Sequence, residues 1–499
     1  MIFKYITLSA VFALLFASIQ SNAEIVLPKI LGNNMVLQRN QTVPVWGYAS
    51  EGEQVTVRFH KQVKTTHADV HGYWKILLDA MPASAEPSVM TISGTNTIKL
   101  NNILVGEVWL CSGQSNMEYS MRKNSKVVKT DSSKESPVDE LERAKNTEIR
   151  IFLVTHKNLQ KPDSLHNGWS IAKDSALRAF SAPGYFFAKE LFSKLHVPIG
   201  MISSAVPGSA IEPWLSGTIK NQDVLEEGNS SVILDESVPG KFYPTMIKPL
   251  APFAIKGFLW YQGETNCFQN ESIGYTYKMA ALIQEWRNLW SNTQLPFYYV
   301  QIAPYYYSKS AGKYPLTKET LPKFWEAQSL ALNIPNTAMA VTTDLVVTPD
   351  DLHPGFKWEV GRRLALIALA KTYGKNLTYS GPVFKRMKID GEKIELEFAN
   401  SGSGLISKDG KPLTDFMIAG DDKKFVPADA MIKGNKIIIS SPLVSNPAHV
   451  RFEWDEGGKP NLFNKEGLPA VPFRTDNPWH FRSDLVQRKG NEIAHKKFE

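Results

Sequence analysis

A serine and a histidine stand in two sequence contexts that could build a hydrolytic site. Ser115 lies in Gly113-Gln114-Ser115-Asn116, directly after an apolar run that predicts a strand. A serine in such a turn is displayed to substrate, and the following helix N-terminus supplies backbone N–H groups. His353 lies in Pro349-Asp350-Asp351-Leu352-His353-Pro354, where a carboxylate can orient a ring that takes a proton from serine. Together they would perform acyl transfer through a covalent intermediate.

Both segments also have ordinary structural interpretations. A serine at this place often caps a helix, and Asp351 would cap the helical pattern that follows His353. The turn around Ser115 is not the Gly-x-Ser-x-Gly elbow of α/β-hydrolases, because Met117 stands where the second glycine would be. Local motifs therefore leave a catalytic pair and a pair of caps both open.

A third segment, Trp260-Tyr261-Gln262-Gly263-Glu264-Thr265-Asn266, also follows a predicted strand. The side-chain amides of Gln262 and Asn266 could donate hydrogen bonds to a developing oxyanion, as could the backbone N–H of Gly208. Each of these residues has turn chemistry as its ordinary alternative. The three segments together predict an acyl-transfer site without a metal ion or cofactor.

The order of elements explains how the three segments would meet. Short apolar strands alternate with helical patterns between residues 105 and 380, which predicts βαβ units and a mostly parallel sheet. Active groups then lie at the carboxyl ends of the strands. The predicted strands are Val105–Leu110, Ile149–Val154, Ile199–Ser203, Lys256–Tyr261, Phe297–Gln301 and Ala338–Val341, and the predicted helices are Tyr185–Leu195, Tyr275–Trp290 and Lys357–Tyr373.

Other segments flank this α/β region. Residues 24–104 and 381–482 contain short, alternating strands, so a sandwich-like β module is predicted on each side, and residues 483–499 form a charged tail. Residues 1–23 combine Lys4, an apolar stretch and a small-residue site ending at Ala23, which predicts a cleaved signal peptide. An uncleaved anchor is the alternative, but the apolar stretch is shorter than the ~20 residues of a membrane span. We expect a secreted or periplasmic protein with no membrane segment after cleavage.

Composition narrows the remaining classes. The chain has 499 residues, 43% of them hydrophobic, which excludes a disordered or fibrous protein. The formal charge of +7 comes from scattered basic residues, so we expect no nucleic-acid partner. Cys111 and Cys267 allow one disulfide at most, and two buried thiols are the favoured interpretation.

Several motifs in the right order give the chain a family resemblance. Gly106–Met117, with its Gly-Gln-Ser-Asn-Met core, resembles the first block of the sialate O-acetylesterase family, a branch of the SGNH or GDSL-like hydrolases. The resemblance covers essentially the whole chain after residue 23, the β modules included. It continues through Asn34–Arg39, Val45–Gly47, Trp260–Glu264, Leu295–Tyr298, Glu326–Gln328, Asp351–Pro354 and Gly361–Leu364.

The resemblance implies a flavodoxin-like, three-layer SGNH domain and an acetylated carbohydrate as substrate. It implies Ser115 as nucleophile and His353 as general base and then general acid, with either Asp350 or Asp351 orienting His353. The oxyanion hole would comprise the N–H groups of Ser115 and Gly208 and an amide, with Gln262 preferred and Asn266 in reserve, because Thr265 stands where the wider superfamily has asparagine. The predicted substrate contacts are Gln114, Asn116, Glu264 and Trp260.

A secreted carbohydrate-binding protein with an inactive hydrolase-like domain is the competing hypothesis. In that case exposed tryptophans would contact the glycan: Trp46, Trp74, Trp214 and Trp260. The presence of Ser115, His353 and adjacent carboxylates favours the enzyme. The sequence does not select between acetylated sialic acid and neutral plant or host oligosaccharides, since Arg287 and Arg362 are as well suited to a helix surface as to a carboxylate clamp.

Overall fold

The computed structural model of the chain describes residues 24–128, 136–155, 168–216 and 240–477. The predicted signal peptide and charged tail lie outside these residues. An N-terminal β region is followed by an α/β region and a C-terminal β module. The N-terminal strands are β1 (Val36–Gln38), β2 (Val43–Tyr48), β3 (Gln54–Phe59), β4 (Gln62–His67), β5 (Tyr73–Leu78) and β6 (Ser84–Ser93).

The α/β region alternates strands with helices, as predicted. Its strands are β7 (Thr97–Gly113), β8 (Ile149–Leu153), β9 (Trp169–Ile171), β10 (Ile199–Ala205), β11 (Gly257–Tyr261), β12 (Phe297–Val300) and β13 (Thr337–Ala340). Its helices are α1 (Ser115–Glu118), α2 (Met121–Asn124), α3 (Glu140–Arg143), α4 (Asp174–Ala179), α5 (Ala182–Leu195), α6 (Glu264–Phe268), α7 (Ile273–Leu289), α8 (Thr320–Leu330) and α9 (Lys357–Lys371).

The central sheet runs in the order β13-β12-β11-β7-β10-β8-β9. All neighbouring pairs from β13 to β8 are parallel, and only β9 at the edge is antiparallel. The strands β10, β7, β11, β12 and β13 therefore follow the flavodoxin-like order 2-1-3-4-5, which confirms the predicted fold class. Since β7 has β10 on one side and β11 on the other, the crevice at its carboxyl end is the place where such sheets bind ligands.

Side chains along the central strands alternate between two buried cores. On β11, Phe258 and Trp260 enter one core with α7 and α8, whereas Leu259 and Tyr261 enter the other with α5 and α9. Both faces are covered, which is why these strands are almost continuously apolar. Gly361 lets α9 lie directly on α5, because a Cβ there would stand 2.7 Å from the Pro183 carbonyl oxygen.

The N-terminal β region shares a strand with the central sheet. The first half of β7 pairs with β6 and its second half with β10 and β11, so the predicted boundary at residues 104 and 105 falls inside one strand. Strand β1 lies parallel to β7, and Gln38 and Arg39 both bond to the buried Glu107 carboxylate on β7. The region is thereby fixed to the strand that leads to Ser115.

The C-terminal module consists of antiparallel strands with a core of their own. The sheets β14-β15-β20-β19 and β18-β17-β21-β23 enclose Ile394, Ile418, Ile437 and Phe452. Arg474 joins the module to α8 through Glu326, at 2.9 Å. The strands are β14 (Val383–Asp390), β15 (Lys393–Ala399), β16 (Leu405–Ser407), β17 (Phe416–Ala419), β18 (Val426–Pro427), β19 (Asp429–Lys433), β20 (Lys436–Ser440), β21 (His449–Phe452), β22 (Leu462–Asn464) and β23 (Phe473–Arg474).

Three further features of the described residues bear on function. Cys111 and Cys267 are buried free thiols, and burial raises the pKa of Cys111 to about 12. No described helix has the length and apolar character needed to cross a membrane. In the same part of the chain, no group of three or more His, Cys, Asp or Glu side chains is arranged to hold a metal ion.

Candidate active site

Ser115 stands at the carboxyl end of the central strand β7. The strand ends at Gly113, which has a φ of +137°. A side chain is excluded here, because a Cβ would lie 2.1 Å from the Tyr261 carbonyl oxygen. The N–H of Gln114 donates to the same Tyr261 oxygen at 3.0 Å, and Ser115 then begins α1. The backbone therefore turns sharply and places the serine hydroxyl at the crevice, with 8% of the residue exposed.

His353 reaches this serine from the loop between β13 and α9. Its Nε2 lies 2.8 Å from Ser115 Oγ, although the two residues are 238 positions apart. Burial lowers the pKa of His353 below its usual value, and the positive charges of Lys357 and Lys123 lower it further, while Asp351 opposes them. A neutral imidazole in hydrogen-bond contact with a serine hydroxyl is the arrangement of a general base and its nucleophile.

The two candidate carboxylates have different surroundings. Asp351 Oδ1 accepts a hydrogen bond from the backbone N–H of His353 at 2.8 Å. Asp350 instead faces Lys309 at 3.6 Å, and both of those side chains are about two-thirds exposed. Of the two alternatives that the sequence left open, the geometry favours Asp351, because its carboxylate bonds to the His353 backbone whereas that of Asp350 faces Lys309. Within the described residues, neither carboxylate accepts a hydrogen bond from Nδ1 of His353, so Asp351 acts on the loop backbone and through its charge.

Gly208 lies on the other side of Ser115, in the turn after β10. The N–H of Val206 donates to the Gly113 carbonyl at 3.0 Å, which fixes this turn against the end of β7. Gly208 has a φ of +70°, is exposed, and has open space where a Cβ would be. In the described part of the chain, the N–H groups of Ser115 and Gly208 donate to no protein acceptor. Both are therefore available to a ligand.

Gln262 and Asn266 are fully buried and bonded to other protein groups. Gln262 Nε2 donates to Asn266 Oδ1 at 2.7 Å and to the Ser209 carbonyl at 3.2 Å. Asn266 Nδ2 donates to Glu271 at 2.7 Å and to Glu212 at 3.3 Å. The prediction that either amide donates to the oxyanion is wrong, because their hydrogens are already used inside the protein.

Gln114, which the sequence analysis predicted as a substrate contact, has a side-chain amide that could donate to the oxyanion. Its Oε1 accepts from the backbone N–H groups of Gly263 at 3.2 Å and Thr265 at 3.4 Å. Two backbone donors fix which end of the carboxamide is oxygen. Its Nε2 donates no hydrogen bond within the described residues. Because Gln114 directly precedes Ser115, this Nε2 is a free donor close to the nucleophile.

The other predicted substrate contacts are interior residues. Asn116 and Glu264 are 0% and 2% exposed and bond to each other at 2.5 Å. Trp260 is 1% exposed because the alternation of β11 directs it into the core beneath the sheet. The prediction of direct glycan contact is therefore wrong for these three residues. The tryptophans proposed for a non-catalytic glycan-binding surface are buried too: Trp46, Trp74, Trp214 and Trp260.

Lys357, the first residue of α9, is a site residue that the sequence analysis missed. It is fully buried, and its Nζ donates to Asn116 Oδ1 at 2.6 Å. Burial lowers its pKa to about 7, although Glu264 and Asp351 oppose this effect. A lysine in the first turn of the helix after His353 was the available signal, because a cation there is unfavourable to the helix dipole.

Neither arginine considered as a carboxylate clamp is available at the site. Arg287 is buried and donates to the carbonyls of Leu295 at 2.9 Å and Pro335 at 2.8 Å, so it is no surface residue. Arg362 is bound by Glu359 through two hydrogen bonds of 2.7 Å. Both guanidinium groups serve the protein's own structure.

Comparison with known proteins agrees with this geometry. The family model described as "Carbohydrate esterase, sialic acid-specific acetylesterase" matches residues 105–370. The sialate O-acetylesterase of Rattus norvegicus is 30% identical over 89% of this chain and 93% of its own length, and that of Homo sapiens is 28% identical over 89% and 91%. The crystal structure of a carbohydrate acetylesterase from Xanthomonas citri is 36% identical and covers 91% of this chain and 100% of its own, with a TM-score of 0.80. The chain belongs to the sialic acid-specific acetylesterase family of carbohydrate esterases.

Proposed function

We propose that this esterase removes O-acetyl groups from carbohydrates through an acetyl-enzyme formed on Ser115. The observation that carries the proposal is the 2.8 Å contact between Ser115 Oγ and His353 Nε2 at the carboxyl end of β7. The lowered pKa of His353 supports it, because the ring is then neutral and able to accept a proton near pH 7.

The reaction follows from the positions of these groups. His353 takes the proton of Ser115 as Oγ attacks the acetyl carbonyl carbon, and the carbonyl oxygen becomes an oxyanion. When the intermediate collapses, the bond to the sugar oxygen breaks and His353 returns the proton to that oxygen. Water then attacks the acetyl-enzyme with His353 again as base, which releases acetate and restores Ser115.

Three donors would stabilise the oxyanion. The N–H groups of Ser115 and Gly208 are available on the two turns that meet at the end of β7. The Nε2 of Gln114 would be the third, since its carboxamide is held by the N–H groups of Gly263 and Thr265. Losing one preorganised donor of this kind costs about 10²–10³-fold in kcat.

The nucleophile is tested by Ser115→Ala. The variant should lose at least about 10³-fold of its acetate release from p-nitrophenyl acetate and should no longer be labelled by a fluorophosphonate. Ser125→Ala is the matched control, because among the described residues its hydroxyl bonds to the Arg122 carbonyl and not to the site. Near-native activity of a folded Ser115→Ala protein would defeat the proposal.

Adjacent carboxylates allow a second, internally controlled test. Asp351→Asn should lower kcat/KM at least about tenfold, because it removes the charge that stabilises the imidazolium. Asp350→Asn should stay within about twofold of the wild type, since its carboxylate faces Lys309. The reverse order of effects would assign the role to Asp350.

The identity of the acetylated sugar is a second part of the proposal. Acetylated sialic acid is favoured by the names of the mammalian relatives, while the unavailability of Arg287 and Arg362 as clamps favours neutral plant or host oligosaccharides. An acetate-release panel should compare acetylated sialic acid, xylan oligosaccharides and mannan. A strong preference for the neutral substrates would overturn the sialate assignment and leave the mechanism untouched.

Export of the protein is also proposed. It is supported by the pattern of Lys4, the apolar stretch and Ala23 in the sequence. N-terminal sequencing of protein recovered outside the cytoplasm should begin at Glu24, and an intact Met1 on exported protein would contradict cleavage.

A further inference from the structure

Lys357 occupies a position that ordinary packing would not give to a lysine. It is 0% exposed and begins the fifteen-residue helix α9, where a positive charge opposes the helix dipole. Among the described ion pairs, none includes Lys357. Its Nζ lies 5.0 and 5.2 Å from the ring centroids of Tyr119 and Tyr261. A buried cation without a directly paired carboxylate is costly, so an apolar residue would serve better for structure alone.

The side-chain amide of Asn116, which accepts a hydrogen bond from Lys357, connects the segments that carry Ser115 and His353. Asn116 Oδ1 accepts from Lys357, while its Nδ2 donates to Glu264 Oε1 at 2.5 Å and to the Leu352 carbonyl at 3.0 Å. Asn116 follows Ser115 in α1, and Leu352 precedes His353 in its loop. Both polar atoms of this amide are therefore engaged, and its bond to the Leu352 carbonyl ties the helix of the nucleophile to the loop of the base.

The charges around His353 come from a small set of groups. Lys357 and Lys123 lower the pKa of His353 and Asp351 raises it, in addition to the larger effect of burial. Burial raises the pKa of Glu264, and the positive charge of Lys357 lowers it. Burial also raises the pKa of the Tyr119 phenol, and the negative charge of Asp351 raises it further. The Tyr261 phenol is fully buried, with its pKa raised by burial and Glu264. Burial lowers the pKa of Lys357 to about 7, and the positive charge of Lys357 in turn lowers the pKa of His353.

We propose that Lys357 is a positioning residue which, through its hydrogen bond to Asn116, holds the loop of His353 against the helix of Ser115 and directs its positive charge at the imidazole. The inference rests on the proposed serine mechanism, because it assigns the purpose of the network to His353. The buried cation raises the free energy of the imidazolium before substrate arrives, so the base stays available at a lower pH.

Direct titration of His353 tests the charge effect without using activity. The imidazole signal of His353, assigned with a His353→Asn variant, should titrate about half a pH unit or more higher in Lys357→Met than in the wild type. Lys371→Met, at the exposed opposite end of α9, should leave the titration unchanged. An unchanged His353 titration in Lys357→Met overturns the proposal even if the esterase mechanism holds.

Kinetics with p-nitrophenyl acetate test the positioning effect. In Lys357→Met the acidic limb of the kcat/KM profile should move to higher pH with the NMR titration, and Lys357→Arg should restore most of the low-pH activity. Asn116→Ala should lower kcat about tenfold or more with KM within about twofold, because the base and the nucleophile lose their alignment while the substrate contacts remain. A rise in KM alone would contradict positioning, whereas activity that survives in Ser115→Ala would defeat the serine mechanism separately.

Discussion

Two buried lysines lie on helices that cover opposite faces of the central sheet, and their surroundings differ. Lys278, on α7, contacts the carboxylates of Glu212 and of Glu271, the latter at 2.6 Å. Burial would lower its pKa, but the two carboxylates outweigh that effect and raise it. Lys357 has an amide oxygen and two aromatic rings instead, and burial lowers its pKa to about 7.

The difference separates a structural role from a proposed role in catalysis. The Lys278 cluster includes Asn266, whose Oδ1 accepts from the Ile211 N–H at 3.1 Å, so it fixes the segment that follows Gly208. The Lys357 cluster fixes the loop of His353 through a partner that neutralises no charge. A paired cation is energetically satisfied, while an unpaired one exerts its field on the nearest titratable group.

The largest expected effect is on stability and comes from Lys278→Met. The substitution leaves Glu212 and Glu271 buried and close together without their cation, which should cost about 3–5 kcal/mol of unfolding free energy. Urea unfolding at pH 7 measures it, with Lys371→Met as an exposed control expected to change stability by less than about 0.5 kcal/mol. A loss below about 1 kcal/mol would remove the distinction between the two lysines.

A smaller effect with a characteristic pH dependence is expected from Lys357→Met. The unfolded chain keeps this lysine protonated up to about 10.5, whereas the folded chain releases the proton near 7. Between these pH values the unfolded state binds more protons than the folded state. The unfolding free energy of the wild type should therefore increase with pH relative to that of Lys357→Met, by on the order of 2 kcal/mol at pH 9.

Lys278 should behave in the opposite way. Its folded-state pKa is raised above 10.5, so its contribution is fully present below that value and is lost only as pH rises through the folded pKa. Urea unfolding of the wild type and Lys357→Met at pH 6, 7.5 and 9 should therefore give a stability difference that grows with pH. A difference that stays constant over this range would mean that Lys357 remains charged at pH 9.

The smallest effect is expected from Glu264→Gln. The glutamine oxygen can still accept from Asn116, and loss of a buried charge offsets the weaker bond, so stability should stay within about 1 kcal/mol. Glu212→Gln is the matched comparison and should cost about 1.5–3 kcal/mol, because it weakens a bond to the Lys278 ammonium. Equal costs for the two substitutions, measured by urea unfolding, would show that the Lys357 cluster also depends on direct charge pairing.

Local patterns predicted the elements and the main pair well for a physical reason. Strand and helix periods are local, and the parallel topology brings every strand's carboxyl end to one edge, so Ser115 and His353 were expected at the same edge of the sheet. The choice between Asp350 and Asp351 depends instead on the backbone path of a short loop, which no periodicity encodes. The hydrogen bond from the His353 N–H to Asp351 is what favours Asp351 in the structure.

The errors concern residues whose burial and hydrogen-bond partners are not encoded in the local sequence period. Gln262 and Asn266 look like free donors until Glu212 and Glu271 are placed beside Asn266. Trp260 follows the alternation of β11, but both faces of a central parallel strand are buried, so its position could not indicate exposure. Lys357 was missed because its amide partner, Asn116, lies 241 positions away.

Strand β7 has a consequence for any attempt to rebuild this protein. It runs without interruption from Thr97 to Gly113, pairing first with β6 and then with β10 and β11. A truncation at residue 105 would cut this strand in two and remove the β1 pairing from Val105 and Gly106 in its catalytic half. Chimaeras that exchange the N-terminal region must therefore keep the whole of β7, its turn and Ser115 together. The N-terminal β region is thus part of the smallest segment that could be transferred with the catalytic serine.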